Sequence, residues 1–262
     1  MLHAPKIDPA QNYLLAALPA EVVNRLLPRF KLIDMPLGRV LYEPGSRMEN
    51  TYFPIHNCIV SKCYVTNDGA STEIAVVGNE GMVGISLLMG DGTNLHQALV
   101  LSPGQAFQLE GKLLKAEFGH NGELQRLLLR YAQALITQIA QTVACNRHHS
   151  IDQQLCRLLL VCLDRREDGE ILLTQGLIAS MLGVRREGVT EAAGKLQAHG
   201  LLRYSRGHIT VFDRLGLEAR ACECYKVVKQ EYDRLLPRAR LLQRDSRPMF
   251  LKPRGGDIKV TG

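Results

Sequence analysis

The sequence predicts an α+β chain: an N-terminal antiparallel β-roll, jelly-roll-like, followed by a long dimerisation helix and a C-terminal winged helix-turn-helix. Three observations predict it. Short β-prone runs alternate with turn clusters between Ile59 and Leu109, a helical period runs from Leu124 to Val143, and two short helical segments meet at Gly183 ahead of a hairpin pattern. The expected divisions are 12–122 for the roll, 123–149 for the long helix, 150–215 for the winged helix-turn-helix, 216–243 for a C-terminal helix and 244–262 for a basic tail.

In chain order, Asn12 to Leu27 reads as a short helix. Strands are predicted over Ile59–Val65, Glu73–Val77, Gln97–Leu101 and Gln105–Leu109, which are rich in residues that suit a pleated surface. Glu43-Pro44-Gly45, Asn67-Asp68-Gly69, Gly78-Asn79-Glu80-Gly81, Gly90-Asp91-Gly92 and Ser102-Pro103-Gly104 supply turns at intervals suited to a compact antiparallel sandwich.

Leu124, Leu128, Tyr131, Leu135, Ile139 and Val143 then form one apolar stripe. Such a stripe can pack on its own β-domain or form a seam with a second copy. A homodimer is preferred, because a helix-turn-helix normally reads two half-sites. Ser150-Ile151-Asp152-Gln153 resembles a capping box, marking a hinge before a helix through Leu155, Leu159 and Cys162.

Within Gln175–Ala192, the residues Ile178, Leu182, Val184, Val189 and Ala192 fall where two crossing helices bury apolar side chains, and Ala179 is small enough for close passage. Gly183 supplies the turn, where positive φ favours glycine. The second helix presents Arg185, Arg186, Glu187, Thr190 and Glu191, side chains of the kind that reach base edges and phosphates. Gly200 ends it; Leu201–Tyr204 and His208–Val211 read as wing strands around Ser205-Arg206-Gly207. Arg206 and His208 at the wing tip suit the phosphate backbone. An ordinary helical hairpin with a solvated face is the plain alternative, and it leaves the turn, the arginines and the wing to coincidence.

Charge follows the same division. Residues 1–150 hold 12 Lys+Arg against 12 Asp+Glu and residues 151–262 hold 20 against 14, so the net +6 lies in the second part. Some of it, at Arg238, Arg240, Arg244, Arg247 and Arg254, belongs to the tail, to which no role is given. Beyond the wing, a helix is expected from Leu215 to about Leu236 with Tyr225, Val228 and Tyr232 on one side.

A composition of 46% hydrophobic and 22% charged residues suits two packed domains. No apolar run approaches the ~20 residues of a membrane span, and Met1–Lys6 lacks a signal-peptide core, so the cytoplasm is the expected location. Without a GxSxG elbow, a P-loop or HExxH, and with no legible catalytic arrangement around His56, His96, His120 or His199, no enzyme activity is expected. Seven cysteines without a CxxC pair argue against a disulfide framework or a four-thiolate site. Cys145-Asn146-Arg147-His148-His149 and Cys222-Glu223-Cys224 carry ligand types for a soft metal, but helical neighbours point in different directions. Packing is preferred, and no metal is expected.

The order of parts resembles the Crp/Fnr family of bacterial transcription regulators over roughly residues 12–225, most specifically at Leu173-Thr174-Gln175, Arg186–Thr190, Gly200-Leu201-Leu202 and Arg206-Gly207. The resemblance implies that Arg186 and Glu187 contact bases and that Thr174 and Gln175 lie beside the DNA backbone. Gly188 stands where the family commonly has Ser or Thr, and Glu191 where its best-known members have arginine, implying a different operator. Gly188 should also loosen its helix by about 1 kcal/mol relative to alanine.

Relatives that bind cyclic AMP use a glutamate and an arginine in the roll. Gly84, Ile85 and Ser86 occupy the corresponding stretch with Ile85 at the glutamate position, and His96 or Gln97 stands at the arginine position. No arginine lies between Arg47 and Arg126, and histidine is a poor substitute for a guanidinium. Cyclic AMP is therefore not the expected ligand. The first cysteine is Cys58, so the N-terminal ligands of iron–sulfur sensing are missing as well. Haem, another small molecule, or a roll kept only for dimerisation remain open, and no cofactor is assigned. The expected function is sequence-specific binding of a two-fold symmetric double-stranded DNA operator, with RNA polymerase a partner if the chain activates. The alternative is a cyclic-nucleotide-like sensor acting on a protein partner.

Overall fold

The computed structural model describes residues 8–166 and 169–236. The expected basic tail, 244–262, and the end of the C-terminal helix lie outside the described residues, as do the N-terminal Met1–Lys6.

Where one helix is predicted at the start, two short ones form: α1 (Tyr13–Ala16) and α2 (Ala20–Leu26). Pro19 divides them, since a proline disfavours helical backbone in the residue before it and starts α2 instead. Asn12 caps α1, accepting from the backbone of Leu14 and Leu15, while its amide donates to the carbonyls of Pro54 and Gly81. The helical entry is thereby fastened to the roll.

The roll has seven strands: β1 (Lys31–Met35), β2 (Val40–Tyr42), β3 (Asn50–Ile55), β4 (Ile59–Val65), β5 (Ser71–Val77), β6 (Gln97–Ser102) and β7 (Gly104–Glu110). They form two antiparallel sheets, ordered β1-β7-β3 and β2-β6-β4-β5. The last four match the predicted runs. The first three escape the strand pattern, and β3 carries Pro54, which is tolerated because β3 is an edge strand. Between the sheets Phe30 meets Phe53 edge-on at 5.7 Å and Phe107 at 5.9 Å, within a core that includes Met35, Ile55 and Leu109.

After α3 (Gly111–Phe118) comes α4 (Glu123–His148), about 39 Å long at 1.5 Å per residue. Leu124, Leu128, Tyr131 and Leu135 are buried against the roll, with Ile139 half-buried beside them. Most of the predicted stripe is therefore intramolecular. Val143, expected in that stripe, instead joins Leu129 and Ile136 in an exposed row that recurs every seven residues, the three being 61, 52 and 55% exposed.

Ser150 caps α5 (Ile151–Leu163) through the full capping box: its hydroxyl accepts from the Gln153 N–H at 3.3 Å and its own N–H donates to Gln153 Oε1 at 3.1 Å. The C-terminal unit continues as β8 (Glu170–Leu172), α6 (Gln175–Leu182), α7 (Arg186–Ala198), β9 (Leu202–Ser205) and β10 (His208–Val211). β8, absent from the sequence reading, makes the wing a three-stranded sheet, β8-β10-β9.

The single expected C-terminal helix is two, α8 (Arg214–Arg220) and α9 (Glu223–Leu235), separated by extended backbone at Ala221 and Cys222. Its predicted inward face holds: Tyr225, Val228 and Tyr232 are buried. α9 lies along α4, where Tyr232 meets Tyr131 at 6.5 Å and its hydroxyl donates to Gln138 Oε1 at 3.1 Å. The two halves share one core, since Ile59, Val76 and Leu101 of the roll pack with Leu155, Leu159 and Met181. No helix among the described residues is long and apolar enough to cross a membrane.

Candidate nucleic-acid interface

Thr174 starts α6 as its N-cap, its hydroxyl accepting from the Leu177 N–H at 3.2 Å. Gly183 ends α6 at φ +66°, the left-handed cap a side chain would strain. Ile178, Ala179, Leu182, Val189 and Ala192 are buried where α6 crosses α7, and Val184 is half-buried, as the spacing predicts.

That crossing leaves Arg185, Arg186, Glu187, Thr190 and Glu191 exposed. Arg185 is the N-cap of α7 rather than part of it, so both arginines stand at the positive end of the helix dipole. Thr190 donates to Gln175 Oε1 at 2.9 Å, joining α7 to the start of α6. Glu191 is less free than its position in the sequence implies. Lys195, one turn on, holds its carboxylate at 2.9 Å and lowers its pKa, and the same ammonium lies 3.6 Å from Asp152.

α7 passes close to α5 at Gly188, where a Cβ would stand 2.7 Å from the Cδ1 of Ile151, the movable end of that side chain.

The wing turns in two residues. Ser205 pairs with His208, and Arg206 and Gly207 between them have φ of +51° and +85°, a type I′ hairpin. Arg206 is exposed at the tip. His208 is also exposed, but its Nδ1 lies 2.9 Å from Glu170 of β8, which balances part of the wing's positive charge. Tyr204 ties the wing to α6, its hydroxyl donating to the Leu173 carbonyl at 2.6 Å.

The predicted effector stretch lies inside the roll. Gly84 has φ +103°, and a Cβ there would meet the Tyr42 hydroxyl at 2.8 Å. That hydroxyl donates to the Asn50 carbonyl. Ile85 is buried in the core, and the Ser86 hydroxyl faces the sulfur of Met48 at 3.7 Å. Gln97 donates to Glu43 at 3.1 Å. The pKa of His96 is lowered by burial and by the nearby Lys62 ammonium, which favours the uncharged ring.

A second constellation joins the two cysteine segments that helical direction keeps apart locally. Cys145 and His149 end α4, Cys222 and Cys224 begin α9, and the packing of α9 on α4 brings their four ligand atoms within 4.8 Å of one another. The signal was the spacing of four between Cys145 and His149, which puts both on one helix face. Nothing local in the sequence announces that the two segments meet.

Residues 153–220 match the Crp-like helix-turn-helix domain. The chain thus carries a Crp-like helix-turn-helix over that stretch. It is 24% identical over 190 residues to a global nitrogen regulator of Synechococcus elongatus, covering 69% of this chain and 85% of that protein. Among solved structures, its fold is similar to a transcriptional regulator assigned to the Crp/Fnr family from Eubacterium rectale, with a TM-score of 0.62, 15% identity and coverage of 79% of this chain and 96% of that one. FixK2 of Bradyrhizobium japonicum is similar at TM-score 0.61 and 16% identity, with coverage of 74% and 98%.

Proposed function

We propose that this chain is a DNA-binding transcription regulator of the Crp/Fnr type that binds a two-fold symmetric operator as a homodimer, with α7 of each copy in the major groove and the Arg206 wing on the adjoining phosphates. The observation that carries the reading is that Arg185, Arg186, Glu187, Thr190 and Arg206 are all exposed, with Thr190 bonded to Gln175 at the start of α6 and Gly207 of the wing against the Thr174 cap of the same helix. Arg186 and Glu187 read base edges, Thr174 and Gln175 approach the backbone, and Thr190, Glu191 and His208 border the contact. α6 touches the roll elsewhere, where Ser180 meets Ser71 at 2.6 Å, so the contact leaves the reading face open.

The exposed Leu129, Ile136 and Val143 row supports the dimer. Their seven-residue recurrence on one helix is the pattern of a coiled-coil seam, and a second copy would cover all three. Ile136→Arg is expected to convert a two-chain species to one chain in sedimentation velocity; an unchanged mass removes α4 as the seam.

Cyclic AMP does not gate the chain in this reading. Tyr42 stands against Gly84, Ile85 is in the core, and the depressed His96 brings no dependable charge to a phosphate. Selection of duplexes from a random pool by the full-length protein, with and without cyclic AMP, tests the whole proposal. The expected result is one palindromic site enriched equally in both. Enrichment only with the nucleotide overturns the effector reading, and no enrichment in either favours a protein partner.

Arg186→Ala is expected to cost about 1–3 kcal/mol on that site and to relax specificity at one base pair per half-site. Arg206→Ala should weaken all duplexes alike and reduce the salt slope by about one. Measured affinities across a salt series separate the two roles, and equal effects of both variants on matched and mismatched duplexes would reject the groove assignment.

A further inference from the structure

We infer that Cys145, His149, Cys222 and Cys224 form a tetrahedral site for a borderline-soft divalent cation of the Zn²⁺ class, joining the end of α4 to the start of α9. The geometry is that of such a site. Cys145 Sγ lies 3.5 Å from Cys222 Sγ, and Cys224 Sγ lies 3.6 Å from His149 Nδ1. Zn–S bonds of ~2.3 Å and a Zn–N bond of ~2.0–2.1 Å at tetrahedral angles place S···S edges at about 3.8 Å and S···N edges at about 3.5 Å. These two gaps match those edges within a few tenths of an ångström, and all four ligand atoms lie within 4.8 Å of one another.

The imidazole is also set up from behind. His149 Nε2 lies 3.3 Å from a carboxylate oxygen of Glu223, the residue between the two α9 cysteines. A carboxylate on the far nitrogen orients the ring and leaves Nδ1 with a lone pair for a metal, the arrangement that supports histidine ligands generally. Simple packing of small apolar thiols accounts for three buried cysteines, but not for a ring nitrogen held toward them by an acidic side chain.

The surroundings favour retention of an ion. Cys145, Cys222 and Cys224 are at most 4% exposed, and the His149 side chain is 16% exposed. Gln154 of α5 donates to the His149 carbonyl at 2.9 Å and to that of Cys145 at 3.4 Å, fixing the backbone that carries two of the ligands. Binding displaces the thiol protons to solvent as the thiolates coordinate, with no change of oxidation state. Because His149 directly precedes the Ser150 cap of α5, the ion would brace α9 against the hinge that carries the DNA-binding half.

The test uses the full-length protein, reduced, stripped of metal and titrated with Co²⁺. The expected result is a tetrahedral cobalt–thiolate absorption that saturates at one ion per chain and is displaced by Zn²⁺. Glu223→Gln, at a side chain 72% exposed, should weaken Co²⁺ binding by ~10–100-fold. Cys222→Ser should abolish the signature, and Cys63→Ser in the roll should leave it intact. Wild-type chain with all its thiols free and no cobalt–thiolate band overturns the proposal, as does a band that survives Cys222→Ser. A Cys145–Cys222 disulfide whose reduction restores no Co²⁺ binding overturns it in favour of a redox pair.

Discussion

Arg165→Ala is expected to cost about 3–5 kcal/mol of folding stability, because it leaves the Glu80 carboxylate buried without its counter-charge. Arg165 follows α5, and Glu80 lies in the turn after β5, so the pair spans the two halves of the molecule. The side chains are 8 and 13% exposed, with Nη2 2.7 Å and Nε 2.9 Å from Glu80 Oε1. Arg165 also donates to the Val161 carbonyl at 2.8 Å and the Val76 carbonyl at 3.4 Å. Burial works against its charge, but Glu80, Tyr232 and Asp164 together more than offset this and hold the guanidinium above its ordinary pKa. Truncation leaves the Glu80 carboxylate with only the Gly78 N–H and removes the guanidinium from the Val161 carbonyl, while the Val76 carbonyl keeps the Gln138 amide at 3.2 Å. Replacing both partners by apolar residues of similar volume, Arg165→Met with Glu80→Leu, removes the unpaired charge and should lose less. Urea denaturation of the three proteins checks this; a double variant as unstable as Arg165→Ala would mean that packing, not charge pairing, holds the halves together.

Features written into a few consecutive residues were legible in the sequence. Gly183, the Ser150–Gln153 box and the Arg206-Gly207 turn depend on local backbone preference, and the helices and hairpin around them form where predicted. β1, β2 and β3 were not legible, because their burial comes from partners far along the chain: Lys31 pairs with Gln108 and Asn50 with Glu110. The stripe on α4 shows the same limit. Periodicity identified an apolar face, but only the position of the roll decides that Tyr131 faces inward and Ile136 outward. At the candidate interface, residue type and spacing located the exposed groups, while the Lys195 clamp on Glu191 and the Glu170 contact to His208 required the fold. The Cys145–Cys222 contact, 77 residues apart, could be found only after α9 was docked on α4.

The second large effect concerns pH. Glu73 on β5 is buried where the roll meets α5, and burial raises its pKa from 4.5 to about 7, against the opposing influence of Arg157, Ser61 and Arg165. Ser61 donates to its carboxylate at 3.3 Å; the thiols of Cys63 and Cys162 are its other titratable neighbours, and both are raised out of this range by burial. Between pH 4.5 and about 7 the folded chain keeps a proton on Glu73 that the unfolded chain has lost. Stability therefore falls as pH rises through this window and levels off above it, by roughly 3 kcal/mol at 1.36 kcal/mol per unit. The depressed His96 acts in the opposite sense below its ordinary pKa of 6.5, so the informative quantity is the difference between wild type and Glu73→Gln. The glutamine can still accept from Ser61 but cannot ionise. Denaturation midpoints from about pH 5 to 8 should decline in wild type relative to Glu73→Gln; parallel curves would place the titrating group elsewhere. Because Glu73 of β5 is buried where the roll meets the C-terminal half, its ionisation weakens the contact that seats the helix-turn-helix half on the roll, and the loss should appear first as separation of the halves.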